Sequence, residues 1–465
     1  MSEAVLSTTV PAPGGEHRPI TDLEELTEIF RSAEKPPSQF RIGAEAEKFA
    51  VVERTGAPLD YDHGVVRIFS ALEKLGWHPE RETANGPVVA LQRGAASVTL
   101  EPGAQLELSG SAVDDMHAIN REFDEHFREL AGVSRDLGLA WLSVGFHPLA
   151  RQTDLPWVPK IRYGVMKEYL PTKGRAAHDM MRRTATVQAN FDFSSEEDAM
   201  RKLMVALRLS PLIHALTANA PFSERRVSPL RSVRGDVWLH MDPSRSGLIP
   251  SLWKKERPTY RDYVEWALGA GMFLFKRGDR VIQNTGQSFR GFMESGFRGE
   301  RATLNDFRLH LQTLFPEARL KNTFEVRACD AQSGALTLAV PALFTGLFYD
   351  AKALDEAEAM SRGFELDTLE ASRPALVQKA LRATIGSESA THLAVRLLEI
   401  ASDGLARRAR LDADGRDERR YLEPLIALAI QGRCPADMLA QGLAVGQELP
   451  VAELISRTRL ELPAT

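Results

Sequence analysis

The sequence predicts an α+β protein: an antiparallel sheet with one polar face, helices over the other face, and a helical C-terminal portion. Two observations predict it. Four segments alternate polar and apolar residues with a period of two, which puts each set on its own face of a strand. Several others repeat apolar residues every three or four positions, the spacing of a helix buried along one stripe.

The elements follow in order. Met1–Pro19 has no basic start and no apolar core, and holds three prolines and two glycines. It reads as a disordered lead, not a signal or transit peptide. Ile20–Ala33 opens with Thr21 before Asp22, Glu24 and Glu25, a capped helix start, and Pro36-Pro37 ends that region. Strands follow from Phe40. Asp114–Leu137 is helical, with Met116, Ile119, Phe123, Phe127 and Leu130 on one stripe, and Glu196–Ala218 repeats the pattern after an N-cap at Ser194-Ser195. Tyr260–Phe275 and Leu304–Phe315 are further helices, and from about Thr345 the chain reads almost wholly helical. A disordered lead over 1–19, one catalytic body over 20–350 and a helical portion over 351–465 packed on it are therefore expected.

Composition excludes several classes. The 465 residues carry 58 Lys and Arg against 63 Asp and Glu, a net charge of −5 that argues against a general nucleic-acid binder. No apolar run approaches the ~20 residues of a membrane helix. Two cysteines, Cys329 and Cys434, cannot build a disulfide framework or a Cys-rich zinc site and fit a reducing, cytoplasmic setting. The chain lacks a Walker A loop, a GxSxG elbow, HExxH and CxxC. Gly269-Ala-Gly271 is a lone GxG, and His117 and His126 read as ordinary helix histidines rather than a metal pair.

The four alternating segments carry the chemistry. In Arg41–Phe49, Glu45 and Glu47 share a face opposite Ala44 and Ala46. In Val98–Ser109, Gln105 and Glu107 share a face opposite Ala104, Leu106 and Leu108, and Glu101 precedes the Pro102-Gly103 break. In Thr186–Phe193, Gln188, Asn190 and Asp192 oppose Val187, Ala189, Phe191 and Phe193. In Thr323–Cys329, Glu325, Arg327 and Cys329 lie opposite Phe324, Val326 and Ala328. A solvent-facing sheet accounts for any one of these. Four together do not fit it, because Glu, Gln and Asn are poor strand formers and clustered carboxylates repel one another. Such a face asks for cations. Magnesium takes oxygen ligands and usually also holds substrate phosphates, so the pattern points to a metal–nucleotide cleft of a phosphoryl-transferring or carboxylate-activating enzyme.

Longer stretches carry a family resemblance. They are IGAEAEKF (42–49), SVTLEPGAQLELSG (97–110), PKIRY (159–163), MMRRTATVQANFDFSSE (180–196), ANAPF (218–222), FPEARLK (315–321), FEVRACD (324–330) and PALFTGLFYD (341–350). The sequence resembles plant-type glutamate–cysteine ligase, the form of plants and many proteobacteria, collinearly from about residue 20 to the C-terminus. The resemblance implies a curved antiparallel half-barrel, similar to that of glutamine synthetase-like carboxylate–amine ligases, with a concave active site and helices outside. It implies that ATP phosphorylates the γ-carboxylate of L-glutamate and that the amine of L-cysteine attacks the acyl phosphate, giving γ-glutamylcysteine, the first step of glutathione synthesis. Mg2+ is the implied metal, with ATP as co-substrate. Glu45, Glu47, Glu101, Glu107, Gln188 and Glu325 match the metal-binding face. Arg327 matches a contact to the transferring phosphoryl or substrate carboxylate, suited to a guanidinium fork. Asn190 would bind substrate or orient a ligand, and Lys160, Arg162 and Arg290 would contact phosphate or carboxylate unless they are surface ion pairs.

The expected partners are small molecules, with no nucleic acid or membrane, for a monomer or homodimer. Two departures stand out. Ala185 replaces a cysteine typical of plant members, so their disulfide switch is not expected in that form, and Ala46 replaces a bulkier residue between the glutamates. The alternatives are the same scaffold with another amine acceptor, or a non-catalytic nucleotide- or amino-acid-binding protein.

Overall fold

The computed structural model describes residues 18–462 except 84 and 279. The expected lead thus lies outside the described residues but for its last two, where Arg18 pairs with Glu25 and Pro19 bridges Thr303. The first helix is Glu24–Arg31.

Nine strands form one open antiparallel sheet. They are β1 (Ile42–Val52), β2 (His78–Arg81), β3 (Val88–Arg93), β4 (Ala96–Leu100), β5 (Leu106–Ser109), β6 (Leu139–Leu142), β7 (Val187–Phe191), β8 (Ala318–Leu320) and β9 (Phe324–Val326). Their order is β8-β9-β7-β1-β5-β4-β3-β2. The long central strand β1 lies between β7 and β5 over its first half, and its second half, Phe49–Val52, pairs with β6. The four segments read as polar-faced strands thus contribute β1, β4 with β5, β7 and β9, and all five lie side by side.

The helices that position the site are α1 (Met116–Leu137), α2 (Ile161–Tyr169), α3 (Glu196–Leu216), α4 (Val233–Trp238), α5 (Ala335–Phe348) and α6 (Ala390–Arg408). Helix α3 starts at the expected cap, Ser195, which accepts from the Asp198 amide, and α1 is capped by Asp115, which accepts from the Ala118 amide. Such caps satisfy amides that the first helical turn leaves free. The apolar sheet face, with Ala44, Ala46, Leu106, Leu108, Val187, Ala189, Phe191, Phe324 and Val326, is buried in one core that extends to Leu460. Helix α5 covers β7 and itself packs on α6, so the C-terminal helices share the core of the sheet. Among the described residues, no helix is long and apolar enough to cross a membrane.

Three expectations need correction. The helix from Tyr260 ends at Ala267, and Leu274–Arg277 pairs with Arg280–Gln283 as a hairpin. Past the helix end, Gly271 packs closely on Tyr169: a Cβ there would lie 2.4 Å from its hydroxyl. Cys329 is not on the polar face. The strand ends at Val326, the alternation lapses, and Cys329 is buried in the apolar core, where burial pushes its thiol up to about 12. Gln105 also leaves that face. Ala104 turns with φ 67°, β5 begins only at Leu106, and the Gln105 amide donates to the Thr184 carbonyl at 2.8 Å instead of lining the cleft. The C-terminal portion is helical as expected apart from a two-residue hairpin, Thr384–Ile385 with Glu388–Ser389.

Candidate active site

The polar face of the sheet lines a cleft of about 910 Å³. Val89 and Arg81 wall it from the β2–β3 side and Arg319 and Lys321 from the β8 side, so the sheet curls around it. Register decides which side chains meet. Glu47 is opposite Glu107, and Glu107 opposite Thr99. Glu45 lies between Ser109 and Gln188, and Glu325 between Asn190 and Arg319. Two glutamates directly opposite each other are unfavourable for the sheet alone.

Each carboxylate is held. Glu47 Oε2 accepts from the Thr186 amide at 3.0 Å, and Glu107 Oε1 accepts from the Ser109 and Thr99 hydroxyls at 2.8 and 3.1 Å. Glu45 Oε1 accepts from Asn190 Nδ2 at 2.7 Å, so Asn190 orients a carboxylate of the cleft. Their charge is unbalanced. Burial, with Glu107 and Glu325 nearby, raises Glu45 to about 7. Burial and the charges of Glu101 and Glu107 raise Glu47 well above the usual range, and burial with Glu101 raises Glu107. These groups resist ionisation because burial and the neighbouring carboxylates outweigh the cations near them, Lys321 at Glu45, Arg234 and Arg327 at Glu47 and Lys160 at Glu107.

Glu325 differs. Burial alone would raise it, but Arg319, Lys321 and Arg327 outweigh burial and hold it well below the usual carboxylate range. Arg327 Nη1 donates to Glu325 Oε1 at 3.1 Å and to Gln188 Oε1 at 2.5 Å. Arg319 and Lys321 were not singled out from the sequence. Their signal was present in Ala318-Arg319-Leu320-Lys321, a short alternation with both cations on one face.

The remaining candidates separate. Lys160 lines the cleft, with Nζ donating to the Leu100 carbonyl at 2.8 Å, and burial beside Arg162 lowers it to about 8. Arg162 also lines it and lies over the Tyr163 ring. Glu101 sits at the cleft just past the end of β4, 3.4 Å from the Tyr163 hydroxyl. Arg290 does not line the cleft. It is ion-paired with Glu265, both side chains about 40% exposed, which is the surface pair weighed against it.

Hard oxygen donors with unmet negative charge fit magnesium. Among the described residues no three His, Cys, Asp or Glu side chains converge as a ready-made metal cage. That agrees with an ion held by one or two carboxylates, waters and substrate phosphates rather than by protein alone.

An open antiparallel sheet with carboxylates and guanidinium groups on its concave face and helices outside defines the class of carboxylate–amine ligases. The model of glutamate–cysteine ligase family 2 matches residues 41–450, and the chain belongs to that family. It is 35% identical over 419 residues to glutamate–cysteine ligase A, chloroplastic, of Oryza sativa subsp. indica, covering 90% of this chain and 83% of that one. It is 33% identical over 421 residues to the chloroplastic enzyme of Medicago truncatula, covering 90% and 81%. The crystal structure of glutamate–cysteine ligase from Francisella tularensis in complex with AMP shares the fold, with a TM-score of 0.53 at 13% identity over 90% of this chain and 87% of that one.

Proposed function

We propose that the cleft is where this protein joins L-glutamate to L-cysteine. As a member of its family the protein is an ATP-dependent ligase that forms γ-glutamylcysteine. The γ-phosphoryl of ATP passes to a γ-carboxylate oxygen of glutamate, releasing ADP. The amine nitrogen of cysteine then attacks the acyl carbon, the C–O bond to phosphate breaks, and the nitrogen loses a proton. The single observation that carries this placement is the division of one cleft into a carboxylate half and a cation half.

The carboxylate half, Glu45, Glu47, Glu101 and Glu107 with Gln188, would hold Mg2+. Held there, Mg2+ would supply positive charge to offset the charge that gathers as phosphoryl and carboxylate approach. Asn190 fixes the Glu45 carboxylate. Glu325 anchors the cation half and lies at the border of the metal set. Arg327 and Lys321 would face the transferring phosphoryl or the substrate carboxylate. Arg327 presents a planar fork suited to two oxygens at once, and Lys321 a point charge. Lys160 and Arg162 would meet the phosphates from the opposite wall. Protein groups at these positions catalyse by holding charges in place, because phosphoryl transfer asks for little covalent chemistry from the protein.

The test is ADP release with ATP, Mg2+ and L-glutamate, with and without L-cysteine, and the mass of the product. Cysteine-dependent release and a γ-glutamylcysteine mass are expected. Release that prefers another amine would move the acceptor assignment and keep the rest.

A further inference from the structure

Arg327 stands just beyond the end of β9, where the ladder no longer holds the chain. Its amide still donates to the Glu317 carbonyl at 3.1 Å, and pairing with the β7 side resumes only at Asp330, which bridges Thr186. The three carbonyls in between, 327 to 329, are met by side chains. Arg234 Nη2 donates to the Arg327 carbonyl at 3.0 Å and Nη1 to the Ala328 carbonyl at 3.3 Å. His214 Nδ1 lies 3.0 Å from the same Ala328 oxygen, and the Thr186 hydroxyl donates to the Cys329 carbonyl at 2.6 Å.

Arg234 is itself fixed. It is 5% exposed, projects from α4 and is not among the residues lining the cleft, though its charge acts on Glu47. Asp330 lies 3.6 Å from its Nη1. The Asp330 carboxylate is held in turn by the Ser232 hydroxyl at 3.1 Å and the Asn219 amide at 2.7 Å. Its guanidinium lies over the Trp238 ring at 5.6 Å. Gly235 lets α4 sit this close, since a Cβ there would fall 2.3 Å from His214 Nε2.

We propose that Arg234 is a positioning residue for the reaction: its fork grips two successive carbonyls in the break after β9 and so aims the Arg327 guanidinium into the cleft. A rigid guanidinium spans two acceptors on neighbouring residues, and a lysine reaches one. The inference rests on the placing of Arg327 in the chemistry given above.

A double-mutant cycle tests it, because coupling separates a residue that acts through another from one that only supports the fold. Arg234→Met in the wild-type background is expected to lower kcat about 10²-fold, the scale of a small misplacement of a reacting group. The KM values should change far less, and Arg234→Lys should recover part of the loss. Arg327→Lys alone is expected to lower kcat about 10²-fold or more, the scale of losing one charge-stabilising donor. In that background, adding Arg234→Met should cost no more than about twofold, the scatter of additivity between independent sites. Where Arg234→Met does not fold, the Arg234→Lys cycle decides by the same criterion. Losses that multiply, or wild-type kcat in both Arg234 variants, would overturn the proposal while leaving Arg327 in place. Full turnover by Arg327→Lys would instead overturn the placing of Arg327, and this inference with it.

Discussion

Arg319 meets Glu325 with two parallel hydrogen bonds, Nε to Oε2 at 2.6 Å and Nη2 to Oε1 at 3.1 Å, both side chains buried. The pair sits across β8 and β9, in register, at one end of the row of cleft carboxylates. It gives Glu325 a bidentate counter-charge, whereas burial and neighbouring carboxylates outweigh the cations near Glu45, Glu47 and Glu107. Arg319, with Lys321 and Arg327, thus sets an electrostatic boundary in the cleft. On one side of it the protein supplies cations for phosphate or carboxylate, and on the other carboxylates that call for a metal.

Removing half of that pair should be costly to the fold. Arg319→Met leaves a buried carboxylate short of its bidentate partner, and breaking a buried pair from one side typically costs about 3–5 kcal/mol. The double variant Arg319→Met with Glu325→Met should regain much of that stability while lacking turnover. Thermal and denaturant unfolding of the single and double variants measure it. A single variant as stable as wild type would mean that the pair carries no weight in the fold.

Glu45→Gln should behave oppositely. The folded protein holds a proton on Glu45 up to about pH 7, whereas an ordinary glutamate releases it near 4.5. Between those values the folded state binds the extra proton, so Glu45 lowers stability as pH rises through the window, fully so above about 7. The amide keeps an acceptor for Asn190 and removes the charge. The variant should therefore match wild type near pH 4.5 and gain about 1–3 kcal/mol above pH 7, on the scale of 1.4 kcal/mol per pKa unit. Turnover should fall by about 10²-fold or more. Unfolding curves across pH, with rates at pH 8, decide it, and a stability difference that does not grow with pH would count against the charge cluster.

Much of this site was legible because a strand's side chains repeat every two residues. Glu45 with Glu47, and Gln188 with Asn190, announced a polar face before any pairing was known, and the register did bring Glu45 against Gln188 and Glu47 against Glu107. Periodicity failed where a strand stopped. Cys329 kept the parity of Glu325 and Arg327 on paper, but the chain leaves the ladder after Val326. Arg319 and Lys321 were passed over because β8 is three residues long and offers too few alternations to read. The hairpin at Leu274–Arg277 was hidden by an apolar run that continues past the helix end at Ala267 with no break in its composition. Arg290 looked like Arg162 as a residue type, and only the fold shows one in the cleft and the other on the surface beside Glu265.

That contrast is open to test. Arg290→Ala should leave kcat and every KM within about twofold and change stability by about 0–1 kcal/mol, the range of exposed ion pairs. Arg162→Ala should raise the KM for ATP or glutamate severalfold at matched stability. Steady-state kinetics with each substrate varied in turn read both, and an Arg290 variant that loses turnover would return that residue to the site.

The metal reading makes the last demand. With no three carboxylates converging as a cage among the described residues, Mg2+ alone should bind weakly, and a nucleotide whose phosphates complete the oxygen shell should tighten it. Calorimetry of Mg2+ with and without a non-hydrolysable ATP analogue should show at least about a tenfold gain, equal to 1.4 kcal/mol of coupling. By linkage the analogue must bind more tightly with Mg2+ by the same factor. Glu47→Gln and Glu107→Gln should each weaken the coupling, because each removes a charged oxygen donor facing the other, and excess chelator should abolish turnover. Equal Mg2+ affinity with and without nucleotide would mean that the protein alone builds the site, and would displace the metal from the carboxylate half of the cleft.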